Sequence, residues 1–209
     1  MNRRQIQRRR LITGLAASAL TPWRQLLAAR TELPVTPPDA EGPFYPVEIP
    51  SDSDNDLMHV VGQNGVSPGQ QTYLHGSVVD RHGTPIDGAR VEIWQCDHSG
   101  TYHHPRAPGR PDPRFQGYGA TVTDSNGTYN FQTLRPVPYG GRTPHIHYRV
   151  SAAGFNRLTT QLYVAEEADR NARDILYTRH TAEEKALLTT SFRADDSGAA
   201  IAEFNIVLG

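Results

Sequence analysis

The sequence predicts an all-β protein: a single β-sandwich with an extended N-terminal arm and short peripheral helices. Three observations predict it. Between Thr72 and Val164, short runs of β-branched and aromatic residues are separated by turn-forming clusters. Residues of high helix propensity are concentrated in two later stretches, Ala165 to Leu176 and Ala182 to Leu188. Ahead of the strands, Pro34, Pro37, Pro38, Pro43, Pro46 and Pro50 keep the chain extended. With 209 residues there is chain enough for one well-filled core.

The elements follow in order. The proline-rich arm carries Phe44 and Tyr45, two aromatics that need a surface to cover, and residues 51–70 read as loop. Thr72 to Val79 is a loosely alternating strand that ends in the turn Asp80-Arg81-His82-Gly83. Pro85-Ile86-Asp87-Gly88 is a second turn, and Ala89 to Trp94 a strand with Val91 and Ile93 on one face and Glu92 and Trp94 on the other. Residues 97–117, polar with four prolines and three histidines, form a long loop of the kind that carries sites. Tyr118 to Thr123 and Thr128 to Phe131 flank the hairpin turn Asp124-Ser125-Asn126-Gly127. Pro136 to Pro144 is a loop. His145 to Ser151 and Leu158 to Val164 are strands joined through Gly154-Phe155-Asn156-Arg157, and Ala200 to Leu208 is a closing strand. The organisation expected is therefore a segment 1–29, an arm and loop 30–70, and a sandwich 71–209.

Residues 1–29 read as an export signal. Arg3, Arg4, Arg8, Arg9, Arg10 and Arg24 come with no acid, an apolar stretch runs from Leu11 to Leu20, and Ala28-Ala29 offers a cleavage site. Arg8-Arg9-Arg10-Leu11-Ile12 resembles a twin-arginine signal, which implies a periplasmic or extracellular destination. The apolar stretch is too short to span a bilayer. Without those six arginines, 15 basic residues face 22 acidic ones, a net charge of −7 that argues against nucleic acid as a partner. Cys96 is the only cysteine, so the chain forms no internal disulfide and no thiolate cluster; its place at the end of an apolar strand suits a buried, inert thiol.

The chemistry concentrates at Arg142-Thr143-Pro144-His145-Ile146-His147. Histidines at i and i+2 of a strand share a face, so both imidazoles can meet one metal ion. Copper, zinc, iron and manganese all accept imidazole. Tyr102 and Tyr139 are candidates to complete the shell. A phenol titrates near ~10, so only a strongly charged cation such as Fe(III) holds two of them ionised at neutral pH. His98, His103 and His104 compete with Tyr102 as local ligands. Arg142, cationic at any working pH, and Gln161, on the strand Leu158 to Val164, are candidates to face the same cavity.

Several blocks in the same order carry a resemblance to the intradiol ring-cleavage dioxygenases, the family of catechol 1,2-dioxygenase and protocatechuate 3,4-dioxygenase. They are Gly42-Pro43-Phe44-Tyr45, Gly88 to Gln95, Gly100-Thr101-Tyr102, Phe115 to Gly119, Thr123 to Tyr129, Arg142 to His147 and Thr159 to Tyr163. The resemblance implies a non-haem Fe(III) held by Tyr102, Tyr139, His145 and His147, with a catechol-type substrate and O2 as partners and a cis,cis-muconate as product. It also implies catalytic roles for Tyr139, which takes a proton from the substrate and leaves the metal, for Arg142, which stabilises developing charge, and for Gln161, which orients the intermediate. The six-residue step from Tyr139 to His145 is shorter than in the well-known cytoplasmic members and implies a different pocket. The substrate stays open among plain, chlorinated, hydroxylated and carboxylated catechols; Arg106, Arg110, Arg114 and Arg149 are candidate partners for a carboxylate. Phe44 and Tyr45 are candidates to pack against a second subunit of a homo-oligomer.

Two rivals stand beside this reading. The pattern from Gly76 to Val91 and from Asp124 to Phe131 also resembles transthyretin-like sandwich modules, which bind partners without catalysis. A zinc or copper enzyme could use the same His-x-His pair.

Overall fold

Alternation along the strands sorts side chains onto two faces, and the computed structural model, which describes residues 32–209, shows both faces in use. The expected export segment, residues 1–29, lies outside the described residues. In one sheet, β1 (Gln71–Asp80) pairs antiparallel with β4 (Thr128–Leu134) and parallel with β9 (Ala200–Glu203) and β10 (Ile206–Leu208), and β8 (Arg193–Ala194) extends beyond β9. The other sheet runs β3 (Tyr118–Val122), β2 (Arg90–Trp94), β5 (His145–Ser151), β6 (Leu158–Val164), β7 (Thr189–Thr190). Leu74, Val78 and Phe131 from the first sheet and Val91, Ile93, Ile146, Tyr148, Val150 and Leu162 from the second are buried in one apolar core. The all-β sandwich is thus as expected.

The second sheet is buried on its other face as well, and this positions the site. Register places Trp94, His147 and Gln161 in one row across β2, β5 and β6, with His145 opposite Tyr163. The arm covers that face. It leaves β10 of the first sheet, where Thr36 N–H donates to the Val207 carbonyl at 3.0 Å, and reaches β6, where Asp39 N–H donates to the Thr159 carbonyl at 2.9 Å and Thr160 Oγ1 to that of Pro37 at 2.7 Å. Phe44 then stacks on Tyr102 with ring centroids 4.7 Å apart, and Tyr45 lies edge-on to Trp94 at 5.0 Å with the Arg149 guanidinium 3.5 Å over its ring. The two arm aromatics therefore pack against rings of this chain and are half-buried.

Three elements differ from expectation. The turn Asp124 to Gly127 closes no hairpin: β3 pairs with β2 and β4 with β1, so it carries the chain from one sheet to the other. The closing strand is split into β9 and β10 although both keep one register with β1, Thr72 opposite Ala200 and Val78 opposite Ile206. Between them Asn205 Oδ1 accepts the Ser77 N–H at 2.9 Å, a side chain replacing a ladder carbonyl. The helix expected from Ala165 to Leu176 shrinks to a 3-10 turn, Ala165–Glu167, and α1 (Ala168–Asn171). Propensity loses here because Asn171 and Asp174 are buried and turn inward: Asn171 Nδ2 donates to the Val164 carbonyl, and Asp174 Oδ1 accepts from Leu176 and Tyr177 N–H. The second helix, α2 (Ala182–Leu188), forms as expected behind a capping box of Thr181 and Glu184.

Candidate metal centre

Four rings close a circuit on the outer face of β5. Ring centroids lie 4.8 Å apart for Tyr102 and Tyr139, 5.4 Å for Tyr139 and His145, 4.7 Å for His145 and His147, and 6.1 Å for His147 and Tyr102. The strand supplies the two histidines, as its period requires. Their Nε2 atoms face each other at 3.2 Å, and both side chains are buried. Trp94 stacks flat on His147 at 4.9 Å and fixes the ring plane.

The tyrosines come from two shaped loops. Asp97 Oδ1 accepts the Ser99 and Thr101 N–H groups and its Oδ2 that of Asp112, which folds the chain into the turn ending at Tyr102. Tyr139 and Arg142 flank a two-residue hairpin in which Arg142 N–H donates to the Tyr139 carbonyl at 2.7 Å. Its central residues, Gly140 and Gly141, both sit at positive φ, 52° and 83°, where glycine alone is unstrained. That minimal turn is the physical content of the short step from Tyr139 to His145.

Protonation suits a cation. His145 Nδ1 lies 2.7 Å from the Thr143 carbonyl, which only accepts; the proton therefore sits on Nδ1 and leaves the Nε2 lone pair for a metal. Burial, then Arg142, pushes His145 down to about 4; burial, then His145, holds His147 well below the usual histidine range. Burial lifts the phenols of Tyr102 and Tyr139 above theirs. All four groups are thus neutral without a metal, and a bound polyvalent cation reverses the preference of the phenols. The buried Tyr102 hydroxyl has no hydrogen-bond partner among the described residues. An orphaned buried phenol in one circuit with two imidazoles whose Nε2 atoms meet fits a hard cation. No three His, Cys, Asp or Glu side chains among the described residues converge on a point, so a metal here must draw on the tyrosines.

Gly42 forms the wall. At φ 72°, it comes so near that a Cβ there would lie 3.1 Å from His147 Cε1 and 3.6 Å from Nε2. Gly42→Ala is expected to weaken binding of any metal ion at this circuit while leaving the far-ultraviolet spectrum unchanged; unchanged metal affinity would count against this crowding.

Arg142 and Gln161 are brought together, as expected, and joined by a residue that the sequence did not single out. Arg142 Nε donates to Asp174 Oδ2 at 2.7 Å, and its Nη2 donates to Gln161 Oε1 at 2.8 Å. Burial would raise the Asp174 carboxyl; Arg142 and the N–H groups of Thr143 and Tyr177 outweigh it and hold it below the usual range. Tyr163 and Asp39 adjoin this pair and were also missed. Tyr163 could have been found, since it stands two residues beyond Gln161 on the same face; Asp39 and Asp174 carry no local signal.

The other candidates are placed elsewhere. His103 Nε2 meets the Asp112 carbonyl at 3.0 Å, His104 Nδ1 accepts Arg106 N–H at 3.1 Å, and His98 lies 3.7 Å from Asp112, so none of them joins the circuit. Cys96 is buried, and burial, then Asp97, pushes its thiol up to about 12, the inert thiol expected. A cavity of about 240 Å³ beside the circuit is lined by Tyr139, Arg142, Arg170 and Arg173. None of Arg106, Arg110, Arg114 and Arg149 lines it. Arg114 pairs with Asp112, and Arg149 with Glu41.

The buried histidines set a pH dependence. An unfolded histidine titrates near ~6.5, so below that pH the unfolded chain takes up a proton that folded His145 refuses until about 4. Stability of the metal-free protein is full above that range and falls as pH drops toward 4. Urea unfolding at pH 7.5 and pH 5 is expected to differ by about 2 kcal/mol from His145 alone; equal stabilities would contradict it.

Known proteins resemble this chain in sequence and fold. A model of the family described as Dioxygenase matches residues 40–209. The chain is 33% identical over 143 residues to catechol 1,2-dioxygenase of Candida albicans, covering 60% of this chain and 46% of that protein. It is 32% identical over 183 residues to the protocatechuate 3,4-dioxygenase beta chain of Burkholderia cepacia, covering 81% and 77%. The chain spans about half the length of the catechol 1,2-dioxygenases it matches. Among solved structures it resembles the dioxygenase domain of a dioxygenase carbohydrate-binding protein fusion from Streptomyces sp. SirexAA-E, with a TM-score of 0.64, 29% identity, and coverage of 84% and 98%. An intradiol ring-cleavage dioxygenase from Tetranychus urticae gives a TM-score of 0.64 at 26% identity, covering 85% and 95%.

Proposed function

The chain belongs to the intradiol ring-cleavage dioxygenase family, and on that premise we propose that it opens the ring of a catechol-type substrate with O2 at a non-haem Fe(III), giving a cis,cis-muconate. Tyr102, Tyr139, His145 and His147 would hold the iron. The observation that carries this is the circuit of four rings with two Nε2 atoms 3.2 Å apart and the orphaned Tyr102 phenol beside them. A transthyretin-like binding module has no need of such a convergence.

Ferric iron would supply a Lewis acid that draws electron density from a deprotonated catechol and makes its ring carbons reactive toward O2. The protein supplies the rest. Tyr102 is buried in the aromatic cluster with Trp94, while Tyr139 stands half-buried beside a two-glycine turn, so Tyr139 is the phenol with room to move and accept a substrate proton at its oxygen. Arg142 spends Nε on Asp174 and one Nη2 hydrogen on Gln161; no acceptor meets Nη1 among the described residues, leaving that donor for charge that develops on substrate oxygen. Gln161, its amide nitrogen tied to the Ala40 carbonyl at 2.6 Å, keeps Oε1 aimed at the guanidinium. The arm shields this face from water.

We also propose that residues 1–29 direct export by the twin-arginine route, on the strength of the arginine cluster and the apolar stretch after it. Fractionation with and without Arg8 and Arg9 replaced by lysine tests it, and an unchanged distribution would end it.

The test of function is the visible spectrum of the purified protein with iron quantified, before and after anaerobic catechol. Tyrosinate on Fe(III) gives a burgundy colour that shifts to longer wavelength as catechol binds. Protein that stays colourless after ferric loading would overturn the tyrosinate centre.

A further inference from the structure

We propose that Asp39, Tyr163 and His180 form a positioning chain through which the N-terminal arm sets the Gln161–Arg142 pair, an inference that rests on the ring-cleavage reading. The Tyr163 hydroxyl stands 2.7 Å from Asp39 Oδ2, 3.0 Å from Gln161 Oε1 and 3.5 Å from Arg142 Nη2. It has one proton to give. The carboxylate is the nearer and stronger acceptor, so the proton goes to Asp39, and Gln161 Oε1 takes its hydrogen bond from Arg142 at 2.8 Å. Gln161 Nε2 in turn donates to the Ala40 carbonyl. The orientation of the amide is thus dictated from the arm: flipped, it would set its oxygen against the Ala40 carbonyl and its N–H groups against the guanidinium.

What holds the arm at this point is Asp39. Its carboxylate is 6% exposed and makes no Lys or Arg pair among the described residues. A buried carboxylate needs compensation, and a phenol and an imidazole supply it. Tyr163 donates from β6, and His180 Nε2 approaches the same oxygen at 3.0 Å from the residue that precedes the Thr181 cap of α2. His180 Nδ1 lies 3.4 Å from Glu184 in the first turn of that helix. One continuous run of contacts therefore links α2, the arm, β6 and Arg142, and it ends on the guanidinium whose Nη1 is free for substrate. Tyr163 and Asp39 touch neither substrate nor metal in this scheme; they act through Gln161 and Arg142.

The test compares the iron-loaded full chain with Tyr163→Phe, which removes only the hydroxyl, Asp39→Ala, and Asp39→Asn, which keeps an oxygen able to accept from Tyr163. Tyr163→Phe and Asp39→Ala are expected to lower kcat about 10- to 100-fold through misplacement of Arg142, with little change in KM and full iron content. Asp39→Asn is expected to restore most of the lost turnover. Amide hydrogen exchange across residues 36–45 should speed up in the first two variants and stay slow in the third. Unchanged kcat and unchanged exchange in both Tyr163→Phe and Asp39→Ala would overturn the proposal. So would equal losses of iron and melting temperature in all three, which a merely structural role predicts. A wild-type protein that opens no ring would instead fail the functional reading, while the exchange data would still decide whether Asp39 and Tyr163 hold the arm.

Discussion

Replacing His147 with alanine is expected to abolish iron binding and ring cleavage while leaving the metal-free sandwich folded. Even groups that only support a metal ligand are typically worth about 10- to 100-fold in affinity or activity, so losing a ligand should exceed that. The fold should survive because His147 sits on the arm-covered face, away from the core of Ile146, Tyr148 and Val150, and because its Nδ1 makes no hydrogen bond among the described residues. The substitution leaves His145 Nε2 without its partner at 3.2 Å and opens space under Trp94; an unsatisfied buried group costs about 1–3 kcal/mol, which lowers stability without removing the core that holds the sandwich. The measurement is thermal unfolding with and without ferric ion. Wild-type protein should gain stability with added iron, about 2.7 kcal/mol at a hundredfold excess over Kd, and the variant should gain none. An unchanged iron-dependent shift in His147→Ala would remove this residue from the centre.

Loss of Arg142 is expected to damage both turnover and stability, and the two can be separated. Asp174 has a fully buried side chain, and Arg142 is the cation that compensates it. Breaking such a pair from one side typically costs about 3–5 kcal/mol, because a charge is stranded. Arg142→Met should therefore unfold at markedly lower denaturant than wild type. Adding Asp174→Asn removes the stranded charge while keeping an oxygen for the Leu176 and Tyr177 N–H groups, so the double variant should recover part of that stability. Turnover should not recover. If Nη1 stabilises charge that develops on the substrate, kcat falls about 10²- to 10³-fold in both variants. A double variant that regains turnover along with stability would show that Arg142 acts only by holding Asp174.

Much of the site was legible because its logic is local. Period two in the strand His145 to Ser151 puts both imidazoles on one face whatever surrounds them, and two glycines in succession call for a tight turn between Tyr139 and Arg142. Strands β1, β2, β5 and β6 were legible for the same reason: each is a run whose alternation matches a buried and a covered face. What could not be read were the partners drawn from far along the chain. Asp174 lies in a stretch that reads as helix, and it leaves the helix because a buried guanidinium and three N–H groups outbid propensity. The short strands β7 and β8, two residues each, have no periodicity to detect.

By itself, then, the sequence determined the sandwich, its strand faces, the His-x-His pair and the family blocks that set Tyr102, Tyr139, Arg142 and Gln161 beside it, since each depends on spacings of a few residues or on matched blocks. Only the tertiary structure decided that the arm closes over the second sheet, that Gly42 walls His147, and that Asp39 reaches Tyr163 and His180. Those contacts join residues more than a hundred positions apart. No local preference encodes them; they form because a sheet with polar groups on its outer face must bury and pair them at once, and the arm is the segment that does so.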